Sequence, residues 1–219
     1  MHETQAPVPD SRRASSWRRS RSKDGVDNRA VIVTAWVHDD DIHPFHRLRD
    51  RFFPASRSFV SAHVTLFHHL PGRIAAEADA GIAQLVADFR HPDLDPATGV
   101  ARVGVRKVFG LTRGVAYALE RDLLVDLRER VRARFAAALK PQDARPWRNP
   151  HITVQNKVDP AEAARLRRHL ARRFEPCALR VMGLQTWRYD GGPWAPMSSH
   201  RFAHGPNAPR DFAADASSL

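Results

Sequence analysis

The chain of 219 residues carries a formal net charge of +11, and 42% of its residues are hydrophobic. This is enough apolar content for one ordinary domain, or two small ones fused, with a packed core. No stretch reaches the roughly 20 apolar residues needed to cross a bilayer, and no apolar run typical of a secretory signal is present near the start. We therefore expect a cytoplasmic protein that does not contact a membrane.

The excess of positive charge favours an anionic partner, but it is spread through the chain rather than concentrated in one segment. Only four of the 35 basic residues are lysines, and an excess of arginine can simply reflect nucleotide composition. Charge by itself therefore leaves nucleic-acid binding open.

Residues 1–28 combine Pro, Ser and Arg with almost no aliphatic side chains, and we predict a disordered basic tail there. Residues 205–219 are similarly poor in aliphatic side chains and are predicted to form a second disordered tail. The folded domain is predicted to span residues 29–204.

The first half of this domain predicts alternating strands and helices. The runs AVIVTAWV and HVTLF have the residue types of strands, and each precedes a segment with apolar residues at helical spacing. In the second half, VARVGVRKVFG and VAYALE predict two strands, residues 121–139 a helix, and HITVQNKV another strand. Asp159 and Pro160 fit the start of a last helix, and two terminal strands follow. This order predicts a mixed α+β fold of two comparable, pseudo-symmetric halves.

Each half contains one copy of a short motif, HVTL beginning at His63 and HITV beginning at His151. Because side chains alternate along a strand, His63, Thr65 and Phe67 are predicted to share one face. The same alternation predicts a shared face for four side chains of the second strand: His151, Thr153, Gln155 and Lys157. If the two strands lie side by side, they line a cleft with two imidazoles and two hydroxyls.

The residue types of the two motifs suit a particular chemistry. Two histidines that titrate near neutral pH can supply a general base and a general acid in one step. A threonine two residues along can donate its hydroxyl to an anionic oxygen. The combination suits in-line attack on a phosphodiester, whose leaving oxygen needs a proton.

These paired motifs resemble those of the two-histidine (2H) phosphoesterase superfamily, whose bacterial members are called 2′-5′ RNA ligases or RNA 2′,3′-cyclic phosphodiesterases. The order of elements over residues 29–202, HHLPG after the first motif and GGPW near the end resemble its RNA-ligase-like branch. The resemblance implies a two-lobed α+β fold in which antiparallel sheets line a central cleft and helices pack outside.

The resemblance also implies an activity. It is metal-independent opening of 2′,3′-cyclic phosphate ends of RNA or nucleotides, possible in reverse as 2′-5′ RNA ligation, with no cofactor. Transferred by position, His63 and His151 are the acid and base, in an order that the sequence leaves open. Thr65 and Thr153 would hold the phosphate.

Four further residues are candidate substrate contacts: Phe67, Gln155, Lys157 and Tyr117. Tyr117, like Trp187, either stacks on a nucleobase or packs in the core. Arg148 lies just before the second motif, where a cation would stabilise a bound phosphate.

Alternatives remain open at this point. The chain could be an RNA- or nucleotide-binding module with little turnover, or a phosphodiesterase for another nucleotide diester. The histidines within residues 38–69 raise a metal site as a further alternative. No cysteine or carboxylate completes a recognisable ligand spacing with them, and we predict no metal.

Overall fold

The computed structural model describes residues 28–147 and 149–204. The two predicted tails lie outside these ranges, apart from Asn28, and so does Arg148. The strands are β1 (Val31–Val37), β2 (Thr65–Leu70), β3 (Leu94–Asp95), β4 (Val100–Leu111), β5 (Gly114–Leu119), β6 (His151–Gln155), β7 (Cys177–Tyr189) and β8 (Trp194–Arg201). The α-helices are α1 (Asp39–Phe52), α2 (Ala75–Ala87), α3 (Asp122–Arg134), α4 (Pro141–Ala144) and α5 (Pro160–Ala171).

The predicted α+β fold and the predicted order of elements are confirmed, with the short β3 and α4 as additions. The described strands form one antiparallel sheet in the order β2-β1-β7-β4-β5-β6, with β3 beside β4 and β8 beside β7. The order contains the predicted pseudo-symmetry, since β2-β1-β7 in one half corresponds to β6-β5-β4 in the other. Each half thus carries its motif on its outermost strand.

The long strand β7 joins the two halves. One of its edges pairs with β1, while its other edge pairs first with β4 and then, from Gly183 onward, with β8. Gly183 has φ 154°, and a Cβ there would lie 1.9 Å from the carbonyl oxygen of His200. Only glycine fits where β8 replaces β4 beside β7.

The motif strands do not lie side by side, which was the arrangement considered from the sequence for a shared cleft. Strands β2 and β6 occupy opposite ends of the six-strand order, so no backbone pairing connects them. Helix α1 lies between the halves instead and contacts both β6 and β7. The two motifs therefore lie on the two outermost strands of the six-strand order, and α1 contacts the sheet between them.

The helices cover the face of the sheet that carries the apolar side chains. In the second half, the ring of Tyr117 contacts Phe45 of α1 at 5.0 Å and Phe174, just after α5, at 5.9 Å between centroids. In the first half, Asp79 of α2 accepts hydrogen bonds from side chains of β7 and β8. None of the helices in the described ranges is long and apolar enough to span a bilayer.

Candidate active site

The two motif histidines are held in the same way. Nδ1 of His63 lies 2.6 Å from the carbonyl oxygen of Ser61, and Nδ1 of His151 lies 2.7 Å from that of Asn149. A carbonyl oxygen only accepts hydrogen bonds, so Nδ1 carries a proton in both rings. Nε2 of each ring is therefore the atom available to exchange a proton with a substrate.

The environment of His63 keeps its ring neutral. Burial lowers the pKa of His63 to about 4, outweighing the opposite effect of the hydrogen bond to Ser61. The charge of Arg49 and the neighbouring imidazoles of His68 and His151 lower this pKa further. The two motif histidines are thus near enough to interact electrostatically, and His63 has a free lone pair on Nε2 at neutral pH.

The two motif threonines are both half-buried on the open face. Thr65 lies opposite Thr34 of β1, and Thr153 lies opposite Ala116 of β5. Within the described part of the chain, neither threonine hydroxyl has a hydrogen-bond partner. Both hydroxyls can therefore donate to an anionic oxygen.

The first histidine lies outside its predicted strand. β2 begins at Thr65, so His63 stands in the segment before it, whereas His151 is the first residue of β6. The amide of Ala35 nevertheless donates to the carbonyl oxygen of Val64 at 2.9 Å. This bond extends the contact with β1 back toward His63.

A β-bulge follows the threonine in both motifs. The extra residue is Leu66 in β2 and Val154 in β6, because the residues on either side pair with consecutive residues of the neighbouring strand. A bulge interrupts the alternation of side chains along a strand. Phe67 and Gln155 consequently turn toward the core, although simple alternation predicts them in the cleft.

The predicted substrate contacts of Phe67 and Gln155 are therefore wrong. Phe67 has no exposed surface, and the guanidinium of Arg128 lies 4.8 Å from its ring centroid. Gln155 is 2% exposed and donates from Nε2 to Oε1 of Glu162 at 3.0 Å. Both side chains support the fold instead of facing a ligand.

The other two candidate contacts have different outcomes. Tyr117 is 6% exposed in the core, and burial raises its pKa to about 12, so its predicted substrate contact is wrong. Lys157 is exposed in the turn between β6 and α5, with φ 63°. Its predicted role stays a prediction.

An aromatic cavity of about 430 Å³ adjoins His63. Its rings are those of Trp36, Phe59, Trp187 and Trp194, and its polar lining includes Thr34, His46 and Gln185. The ring of Trp194 lies 4.5 Å from that of His63, and Nε1 of Trp187 donates to Oγ1 of Thr34 at 2.9 Å. This volume and this lining are typical of small-molecule sites. Of the two aromatic residues considered for stacking, Trp187 lines this cavity, whereas Tyr117 is buried in the core.

Arg49 of α1 connects the segments that carry the two motifs. It is 5% exposed, and Nε donates to the carbonyl oxygen of Val60 at 2.9 Å, while Nη1 donates to that of Thr153 at 2.9 Å. Burial lowers the pKa of Arg49 to about 10, so the group stays charged at pH 7. Among the described residues, no carboxylate forms an ion pair with it.

Sequence patterns contain only weak signals for these additional residues. Arg49 occupies the apolar stripe of its helix, seven residues after Ile42 and four after Phe45, which is unusual for a charged side chain. Trp194 belongs to the GGPW segment. Nothing in the local sequence indicates that Trp36 and Phe59 meet beside it.

In residues 28–147 and 149–204, no three His, Cys, Asp or Glu side chains are grouped as ligands for a metal ion.

Several solved structures share the fold of this chain. A crystal structure of a phosphoesterase matches at 15% identity with a TM-score of 0.52, covering 81% of this chain and 99% of that one. E. coli LigT complexed with 3′-AMP matches at 16% identity and a TM-score of 0.52, covering 80% and 98%. TT0787 of Thermus thermophilus gives the same identity, TM-score and coverage. These likenesses establish a shared fold.

The family follows from the sequence match. The model of the 2′-5′ RNA ligase superfamily matches residues 37–193. The chain therefore belongs to the 2′-5′ RNA ligase superfamily, among the 2H phosphoesterases. No curated protein matches the chain significantly.

Proposed function

We propose that the protein is a phosphodiesterase that opens 2′,3′-cyclic phosphates of nucleotides or RNA ends by two-histidine acid-base catalysis. The observation that carries this proposal is the matched pair of half-sites. In each, a backbone carbonyl fixes the proton on Nδ1, Nε2 is available, and a threonine hydroxyl without a partner lies two residues along.

The low pKa of His63 is the basis for assigning the roles of the two histidines. Neutral His63 accepts a proton at Nε2 from the water that attacks phosphorus. As the new oxygen–phosphorus bond forms, the bond from phosphorus to one ribose oxygen breaks. Protonated His151 donates its Nε2 proton to that oxygen, and a later proton transfer restores both rings. The hydroxyls of Thr65 and Thr153 bind the non-bridging oxygens, where negative charge accumulates.

A nucleotide substrate is supported by two further observations. The aromatic cavity beside His63 offers ring faces on which a nucleobase can stack. Among the structures of similar fold, E. coli LigT is complexed with 3′-AMP, with ATP and with NADP+. The nucleotides bound to E. coli LigT favour a nucleotide as the substrate of this protein, which has a similar fold.

The test is hydrolysis of a 2′,3′-cyclic mononucleotide by the purified full chain in the presence of a chelator. We expect turnover by the wild-type protein and a loss of about 10²- to 10⁴-fold in His63→Ala and in His151→Ala. His169→Ala is the matched control, because His169 is an exposed histidine on α5, away from both motifs. Full activity in either motif variant would refute the mechanism.

Two additional measurements separate the alternatives. Binding of the nucleotide, followed by tryptophan fluorescence, without turnover by the wild-type protein would identify a binding module. Incubation with RNA that carries 2′,3′-cyclic phosphate and 5′-hydroxyl ends tests the reverse reaction, 2′-5′ ligation. Activity that the chelator abolishes would point to a metal-dependent diesterase instead.

A further inference from the structure

The bulge at Leu66 places His68 on the open face of the sheet. Strict alternation along β2 predicts His68 on the face opposite His63 and Thr65. The extra residue shifts the alternation by one position, so Leu66 and Phe67 are both buried and His68 is exposed. His68 is also close enough to His63 to lower the pKa of that ring. The first half-site therefore contains a second imidazole, which the proposed mechanism does not use.

A buried carboxylate fixes the position of His68. Asp143 of α4 is 2% exposed, and it accepts hydrogen bonds from the backbone amides of His68 at 3.1 Å and of His69 at 2.8 Å. Its Oδ1 also lies 3.4 Å from Nδ1 of the His68 ring. Because β2 is the outermost strand of the six-strand order, Asp143 satisfies amides that no further strand can pair with.

The carboxyl of Asp143 is ionised at neutral pH. Burial raises its pKa, but the hydrogen bonds from the ring of His68 and from the two amides outweigh burial and leave the pKa below its ordinary value. Arg128 of α3 secures the same segment, since Nη2 donates to the carbonyl oxygen of Asp143 at 2.7 Å and Nε to that of Leu66 at 3.0 Å. Both the charge and the position of the carboxylate are thus set by the fold.

The other ring nitrogen of His68 is available to a ligand. Among the described residues, Nε2 has no hydrogen-bond partner, and no carboxylate besides that of Asp143 lies within ion-pair distance of the ring. The second half-site has no counterpart of this arrangement. At the matching place after the second motif stands Asn156, whose Oδ1 accepts from the amide of Lys157 at 2.8 Å.

We propose that His68 binds the phosphate of the substrate beside Thr65, and that Asp143 is its positioning residue. The inference rests on the proposed function and adds a third phosphate contact to the same site. Nε2 of His68 donates to a non-bridging oxygen, while Nε2 of His63 accepts the proton of the attacking water. With Asp143 at one ring nitrogen and the phosphate at the other, the bound imidazole carries a proton on both and donates from both.

Binding of phosphorylated nucleosides tests the phosphate contact without turnover. The substitution is His68→Asn, because the asparagine amide can keep a hydrogen bond to Asp143 but has no atom in the place of Nε2. Adenosine 2′-phosphate, adenosine 3′-phosphate and unphosphorylated adenosine are titrated into the full chain and followed by tryptophan fluorescence. We expect His68→Asn to weaken binding of the two phosphates about 10- to 100-fold and to leave adenosine binding unchanged.

Two results would overturn the phosphate contact. One is equal weakening for all three compounds, which would show that His68 acts only through the fold. The other is unchanged binding of both phosphates. His169→Asn is the matched control, because it replaces an exposed histidine of α5 away from both motifs and should change none of the three affinities.

Asp143→Asn tests the positioning role. It removes the charge beside Nδ1 and should weaken binding of the phosphates about tenfold. Because the two residues act as one unit, the double variant should bind the phosphates no more weakly than His68→Asn alone. Additive losses in the double variant would refute the positioning role, and denaturant titrations show whether each variant is folded.

Turnover distinguishes this proposal from the proposed function. His68→Asn should lower kcat/KM for a 2′,3′-cyclic mononucleotide about 10- to 100-fold. Weakened phosphate binding by His68→Asn in a protein without cyclic phosphodiesterase activity would support the contact while refuting the reaction. Unchanged phosphate binding would overturn the contact even if hydrolysis is observed.

Discussion

The guanidinium of Arg49 donates a hydrogen bond to the carbonyl oxygen of Thr153 at 2.9 Å, across 104 residues of sequence. Through Nε the same group holds the carbonyl oxygen of Val60, three residues before His63. Burying a cation without a carboxylate partner costs desolvation free energy. Here it fixes the spacing of two half-sites that no strand pairing connects, and its charge lowers the pKa of His63.

Replacing Arg49 with Met should impair catalysis more than substrate binding. Both hydrogen bonds and the charge are removed, and a displacement of the half-sites by about 1 Å can cost 10²-fold in rate. We expect kcat for a cyclic mononucleotide to fall by about 10²-fold with a smaller change in KM. The acid limb of the kcat/KM profile should also move to higher pH, because the pKa of His63 rises when the charge is lost.

Arg180→Met is the control for this prediction. Arg180 pairs with Asp41 at 2.9 Å and so ties α1 to β7 at a distance from the motif residues. Its loss should reduce stability without moving the pH profile. An Arg49→Met protein whose kcat and pH profile match the wild type would exclude the positioning role.

The pH dependence of kcat/KM should show an unusually low acid limb. The base must be neutral, and burial lowers the pKa of His63 to about 4. We therefore expect kcat/KM to stay constant as pH falls from about 7 to 5 and to decline only near pH 4. Initial rates at low substrate concentration measure this directly. An acid limb near the ordinary histidine value of 6.5 would assign the base to another group.

The same pKa predicts acid sensitivity of the fold. In the unfolded chain His63 takes up its proton near pH 6.5, but in the folded protein only near pH 4. As pH falls through this window, protonation favours the unfolded chain. The free energy of unfolding should therefore drop by about 2 to 3 kcal/mol between pH 7 and about pH 4.5.

His63→Gln isolates this effect. Glutamine does not titrate, so the variant should lack that part of the acid loss, while the other titrating groups contribute equally to both proteins. Denaturant titrations of the two proteins at both pH values give the difference. A parallel decline of the two stabilities would contradict the low pKa.

If the nucleobase stacks in the aromatic cavity, replacing a cavity residue should raise KM only for substrates that carry a base. Trp187→Leu removes one of its ring faces, and stacking of a base on an aromatic ring is worth about 1 to 3 kcal/mol. We expect KM for a cyclic mononucleotide to rise about tenfold or more. Ribose 2′,3′-cyclic phosphate, which has no base, is the substrate control and should be hydrolysed equally by both proteins. Equal effects on both substrates would show that Trp187 acts only through the fold.

The sequence alone determined the order of elements and the two motifs. Strand and helix periodicity is local, so β1 to α5 could be predicted in sequence, and the repeat of His63-x-Thr65 as His151-x-Thr153 identified both half-sites.

The tertiary structure decided how these parts are arranged. A bulge depends on pairing with a neighbouring strand, so alternation along the sequence failed at Phe67 and Gln155, one step past the threonine in each motif. The approach of the half-sites depends on Arg49, and the aromatic cavity on Trp36 and Trp194, which are far apart in the chain. Long-range packing therefore set the spacing and surroundings of two motifs for which the residue types alone predict acid-base chemistry.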